Sequence, residues 1–157
     1  MFKNCTKISE VNIDNIQAWF NIDFVNQYSN PLHNGAVLKL DNEEVTDVTF
    51  PEIMTVVKPY TFYGCNSLRS VTLHSKVAAV SESAFSNCSS LSSILIPNNV
   101  TELGSSAFYG CSALTSATFG TGLTTIGSSV FYNCSSLSSI VIPDNVTELG
   151  SSAFYGC

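Results

Sequence analysis

Cys65, Cys88, Cys111, Cys134 and Cys157 stand 23 residues apart, and a sixth cysteine, Cys5, lies near the start. Thiols at such positions can act as nucleophiles, bind metal or pair as disulfides, and each chemistry has its own requirement. A thiolate nucleophile needs a base within hydrogen-bond reach, and the chain has only His33 and His74. Zinc needs ligands clustered at short spacing, and no C-x-x-C occurs; nor does a phosphate-cradling G-x-x-x-x-G-K-[ST]. Cysteines recurring at one repeat position stack about 4.8 Å apart with parallel side chains. A disulfide wants Cβ atoms near 3.8 Å, turned toward each other, so about 4.8 Å and parallel is the wrong geometry. The spacing therefore predicts a file of buried free thiols, each acting as a small hydrophobe. No enzyme activity, metal or cofactor is expected.

The elements that hold those cysteines repeat with them. Phe62, Phe85, Phe108, Phe131 and Phe154 keep the count three places earlier, and Leu68, Leu91, Leu114 and Leu137 keep it three places later. Residues 89–111 read SSLSSILIPNNVTELGSSAFYGC, and residues 135–157 differ from them only at Leu95/Val141 and Asn98/Asp144. Self-similarity at this period is the signature of stacked repeats. Within each unit, segments such as SLRSVTL (67–73) and SLSSILI (90–96) alternate small polar with apolar residues, as do 113–119 and 136–142. That is the pattern of a half-buried strand, with Val71 and Leu73 inward and Ser70 and Thr72 outward. Pro51, Pro97 and Pro143, with His74 and Gly120 in the same column, end the strand. The residue before each cysteine alternates Gly64, Asn87, Gly110, Asn133, Gly156, the two types that most readily take a left-handed backbone, so a tight corner is predicted there. The fold read from the unit is a repeat solenoid, a right-handed coil with a parallel β-sheet on one face and irregular turns on the other.

Three segments follow. Residues 1–13 form a partial repeat, with Phe2 and Cys5 in the F-x-x-C slots. Residues 14–44 are a helix–hairpin insertion, and 45–157 are 23-residue repeats cut within a unit at the far end, so the chain reads as part of something longer. In the insertion, Asp14 is the expected N-cap, with Gln17 three residues on, and Ile16, Trp19 and Phe20 share a helical face. The runs AVLKL and VTDVTF flank DNEE as the arms of a hairpin. Trp19, the only tryptophan, either belongs to a binding loop or covers an apolar edge of the solenoid.

The unit L-x-x-h-x-h-P-x-x-h-x-x-h-G-x-x-A-F-x-x-C-x-S, with h apolar, resembles the BspA-type leucine-rich repeats of bacterial surface proteins. Departures fall at Ser81 in the glycine column and at Gly120 and His74 in the proline column. The resemblance implies a leucine-rich-repeat-like coil, a cell-surface or secreted setting, adhesion to a host or microbial protein or glycan, and no catalysis. A net charge of −6 opposes nucleic-acid binding, which needs a basic face, and no run approaches the length of a membrane helix. Candidate contact residues are Trp19, Arg69, the outward column Thr72, Leu95, Thr118 and Val141, and the tyrosine column Tyr63, Tyr109, Tyr132 and Tyr155, whose alternative is packing over their own corners. Two readings stay open: an adhesin-like interaction module, or spacer repeats that project another domain. Open coil ends would also let copies stack end to end.

Overall fold

The computed structural model describes residues 2–157. Three ladders run along it. On one face lie β4 (Asp47–Thr49), β6 (Ser70–Thr72), β8 (Ser93–Ile96) and β10 (Ser116–Phe119). They pair in parallel as β4–β6 and β8–β10, with partners 23 residues apart such as Asp47↔Ser70 and Ser93↔Ser116. Between the two pairs, the Ser92 N–H donates to the Arg69 carbonyl at 3.2 Å. Val71, Ile94 and Ala117 point into the core from this face, and Thr72, Leu95 and Thr118 point out. The period-2 reading of these segments is what the backbone shows.

A second parallel sheet runs along the return path, a detail finer than the expected turns. Its five strands are two residues each: β5 (Val56–Val57), β7 (Ala79–Val80), β9 (Glu102–Leu103), β11 (Thr125–Ile126) and β12 (Glu148–Leu149). Two residues give no measurable alternation, which is why the sequence does not announce them. Val57, Val80, Leu103 and Ile126 anchor these strands in the core.

The third ladder is the corner, and it bonds in one sense only. On the strand face the bonds run both ways, as in Thr115 N–H to Ser92 C=O (2.9 Å) backward and Phe50 N–H to Thr72 C=O (3.0 Å) forward. At the corner each coil donates forward: Phe62 to Ala84 (2.8 Å), Phe85 to Ala107 (2.8 Å), Phe108 to Val130 (3.0 Å) and Phe131 to Ala153 (2.7 Å). Interior coils thus satisfy their backbone groups on both sides and around the perimeter, as burial demands.

Gly64, Asn87, Gly110, Asn133 and Gly156 have φ of 76°, 60°, 70°, 57° and 78°, the left-handed corner. A second left-handed column, Tyr60, Ser83, Ser106, Ser129 and Ser152 (φ 52–59°), precedes it and carries full side chains. The strain of about 1 kcal/mol or more at each such residue is offset by the forward hydrogen bonds that fix the turn. The alternation of glycine and asparagine also has a steric cause. A Cβ on Gly110 would collide with Asn87 Oδ1, and one on Gly156 with Asn133 Oδ1. Each asparagine reaches over the next corner, where only glycine leaves room.

The insertion caps the first coil. Helix α1 (Ile16–Asn21) starts at Asn15, whose side chain accepts the Gln17 N–H at 2.8 Å; Asp14, the expected cap, lies one residue outside because the asparagine satisfies the same donor. Two 3-10 turns, Gln27–Ser29 and Pro31–Asn34, follow. Then β2 (Val37–Leu40) pairs in parallel with β1 (Glu10–Ile13) and antiparallel with β3 (Glu43–Glu44). Asp41 and Asn42 both have positive φ, 52° and 69°, the conformation of a type I′ turn. The hairpin's return arm is therefore Glu43–Glu44, residues expected in the loop, rather than VTDVTF; Val45 still donates to Leu38 at 2.9 Å, and then the chain leaves to build β4.

Residues 136–142 depart from the strand expected of them. No ladder bond joins them to β10, and Ile140 is only half-buried and Ile142 42% exposed, whereas their counterparts Ile94 and Ile96 in the near-identical segment 90–96 are 3% and 0% exposed. That stretch has a coil on one side only, so the burial that holds β8 flat is halved.

Candidate interaction surface

The outer face of β6, β8 and β10 is flat by construction, because one side chain per coil occupies each column at the interstrand spacing. One column holds Thr72, Leu95, Thr118 and, on the unpaired segment, Val141; the neighbouring one holds Ser70, Ser93, Ser116 and Ser139. Leu95 is 62% exposed, an apolar side chain set among hydroxyls. Arg69 stands exposed beside β6 and is the only cation near the face; it helps hold the Asp47 carboxyl below its usual range, after the larger effects of hydrogen bonds from Ser70 and Thr46. The surface is long and weakly charged, with a hollow of about 440 Å³ between β10 and the unpaired residues 139–143.

Tyr109, Tyr132 and Tyr155 stack face to face, with centroids 4.9 Å apart in both pairs. Only the middle ring, Tyr132, has tyrosines on both faces; Tyr109 and Tyr155 each stack on one, and Tyr155 is 63% exposed. Ser86 interrupts the file, and Tyr63 leans instead on Tyr60 (6.1 Å, tilted). Trp19 is a correction to the list of contact residues. It is 3% exposed, its indole N–H donates to the Thr61 carbonyl at 2.9 Å, and its helix neighbour Phe20 stacks on Phe50 at 4.6 Å. The tryptophan seals the apolar end of the solenoid and presents nothing to a partner.

Beneath the corner, Phe62, Phe85, Phe108, Phe131 and Phe154 form a continuous ring stack at 5.4–5.8 Å, with interplanar angles of 1–9°. The thiols beside them are hydrogen-bond donors. Cys88, Cys111, Cys134 and Cys157 each donate to a phenylalanine carbonyl of the preceding coil, those of Phe62, Phe85, Phe108 and Phe131, at 3.1–3.2 Å. Cys65 sits 3.8 Å from Ser67 Oγ instead. Burial pushes the Cys65 thiol up to about 11, Cys134 to about 12, and Cys88 and Cys111 well above their ordinary value. A thiol that holds its proton is no nucleophile. Among the described residues no three His, Cys, Asp or Glu side chains gather as metal ligands, and no helix is long and apolar enough to cross a membrane.

A family model for the BspA type leucine rich repeat region matches residues 40–157 in 6 copies. The chain belongs to the BspA-type family. A leucine-rich repeat protein of T. pallidum is 35% identical over 76% of the chain, with a TM-score of 0.61, and the chain spans 53% of it. The pneumococcal vaccine antigen PcpA shares the fold (TM-score 0.67) at 24% identity over 73% of the chain, which spans 29% of that protein. No curated protein matches it. As a BspA-type repeat region the chain is a repeat scaffold whose general role is interaction.

Proposed function

We propose that the repeats act as an adhesin-like recognition module, displayed on a cell surface or secreted, that binds an extended protein segment along the strand face. Exposed Leu95 supports this most directly. A 62% exposed leucine, flanked on its column by Thr72 and Thr118, is an apolar anchor among hydroxyls on the paired strands, with Val141 the next apolar side chain of the column. The tyrosine file supports protein over glycan in part, because sugars stack on ring faces and the middle ring, Tyr132, has both faces taken by its neighbours.

The competing reading, repeats as a spacer, draws on the near-identity of coils 89–111 and 135–157. Immobilised extracellular-matrix proteins and glycans, presented to the chain in a surface-binding assay, separate the two. The module predicts saturable binding to a protein that weakens about tenfold in Leu95→Glu, with the thermal transition unmoved because the side chain is exposed. Absence of binding to any of them, or binding indifferent to Leu95→Glu and Thr118→Arg, leaves the spacer.

A further inference from the structure

The strand face is not continuous with the insertion. The first sheet ends at β3, the next begins at β4, and nothing pairs with the side of β4 that faces the insertion. Toward β6, residues 46 and 50 spend their groups: Ser70 N–H donates to Thr46 C=O at 3.2 Å and Phe50 N–H to Thr72 C=O at 3.0 Å. By the alternation of a strand, Asp47 and Thr49 direct their N–H and C=O groups the other way. They open onto a hollow of about 240 Å³ floored by Ile16 and Leu40, walled by Glu43 and Glu44, and completed by residues 45–49. An unpaired edge of this kind is a template for strand addition, main-chain bonds supplying affinity and alternate side chains specificity.

We infer that this edge is a second binding site, separate from the outer face of β6–β10, which takes an extended peptide alternating basic and apolar residues as an added strand beside β4. The alternation follows from the groove. Val48, 4% exposed, and the half-buried Ile16 and Leu40 line the inward side, where an apolar residue fits. Glu43, Glu44 and Asp47 make the outer rim acidic, and Asp47 stays ionised because Ser70 and Thr46 donate to its carboxylate. Lys39, the cation of the hairpin, is paired with Glu10 across the β1–β2 ladder and stands opposite Glu44 on β3, so its single charge is shared among Glu10, Glu43 and Glu44 and leaves the rim net acidic. A basic residue on the incoming strand meets that charge.

The test uses the full chain and a short blocked peptide alternating lysine and valine, with two controls: the same peptide N-methylated at alternate residues, and one with glutamate for lysine. Binding of the first, weakening with added salt and shifting the Asp47 and Thr49 amide resonances, is the expected result. N-methylation should abolish it, since the main-chain donors are gone. Thr49→Pro deletes one groove-facing N–H at a position where an edge strand tolerates proline, and should cost about tenfold in affinity. Should that variant unfold, the exposed pair Glu43→Lys with Glu44→Lys should lose binding while the amide spectrum stays folded. Equal binding of the N-methylated or glutamate peptide, no binding at all, or shifts confined to β6–β10 overturns the site; none of these outcomes bears on Leu95.

Discussion

Each of Cys88, Cys111 and Cys134 gives its hydrogen to a phenylalanine carbonyl of the preceding coil, so its proton is part of the packing. Burial raises these pKa values, to about 11 at Cys65 and well above ordinary at Cys88 and Cys111. The folded chain therefore keeps protons that the unfolded chain releases above about pH 9. Stability should be flat below that pH and fall as it rises further, with a slope of about 1.4 kcal/mol per pH unit for each thiol ionised only when unfolded. Urea titrations between neutral and strongly alkaline pH measure this, and Cys88→Ala with Cys111→Ala should flatten the slope by two thiols' worth. Phe108→Ala, which opens the ring stack in the middle, should cost about 3–5 kcal/mol, read from the same titrations at neutral pH. That the cysteines pack rather than react was legible from even spacing and the shortage of histidine. Their hydrogen bond to the previous coil was not, because it depends on a carbonyl 26 residues away that no side-chain pattern encodes.

At the level of the element, period-2 segments announced β6, β8 and β10, whereas β5, β7, β9, β11 and β12 are too short to have a period. The glycine–asparagine column identified one left-handed corner; the serine column four residues earlier stayed hidden, because serine is no marker of positive φ. Trp19 was legible as a member of an apolar helical face and, in one of two readings, as a cover for an apolar edge; what the helix meets, Phe50, Thr61 and Phe62, decides for the cover. The corner makes a sharp prediction. Gly110→Ala meets both a φ of 70° and Asn87 Oδ1, and should destabilise by about 1–3 kcal/mol. Adding Asn87→Gly should return the steric share and leave the backbone share, a coupling that a double-mutant cycle of thermal or urea unfolding resolves.

Over the whole molecule, cohesion passes from coil to neighbouring coil, and no single centre holds it together. Local stability should then vary with the number of neighbours, and segments 90–96 and 136–142 offer the comparison almost free of sequence bias. Hydrogen exchange should protect the Ile94 and Ile96 amides strongly and leave Ile140 and Ile142 nearly open, because the first pair is sandwiched and the second is unladdered. Equal protection would mean that residues 136–142 do pair with β10 in solution. The solenoid itself was the most legible feature, since Phe and Cys count coils directly; the break between β3 and β4 was the least, because it arises where an irregular insertion meets a regular stack. The alternating corner carries a last consequence, for how such a molecule grows over generations. Cys111 and Cys157 are 46 residues apart and close two almost identical coils, so the inheritable unit is a pair. A single added coil of the asparagine type would set one asparagine reaching into another, whereas a doublet keeps every asparagine over a glycine, so lengthening by twos preserves the fit.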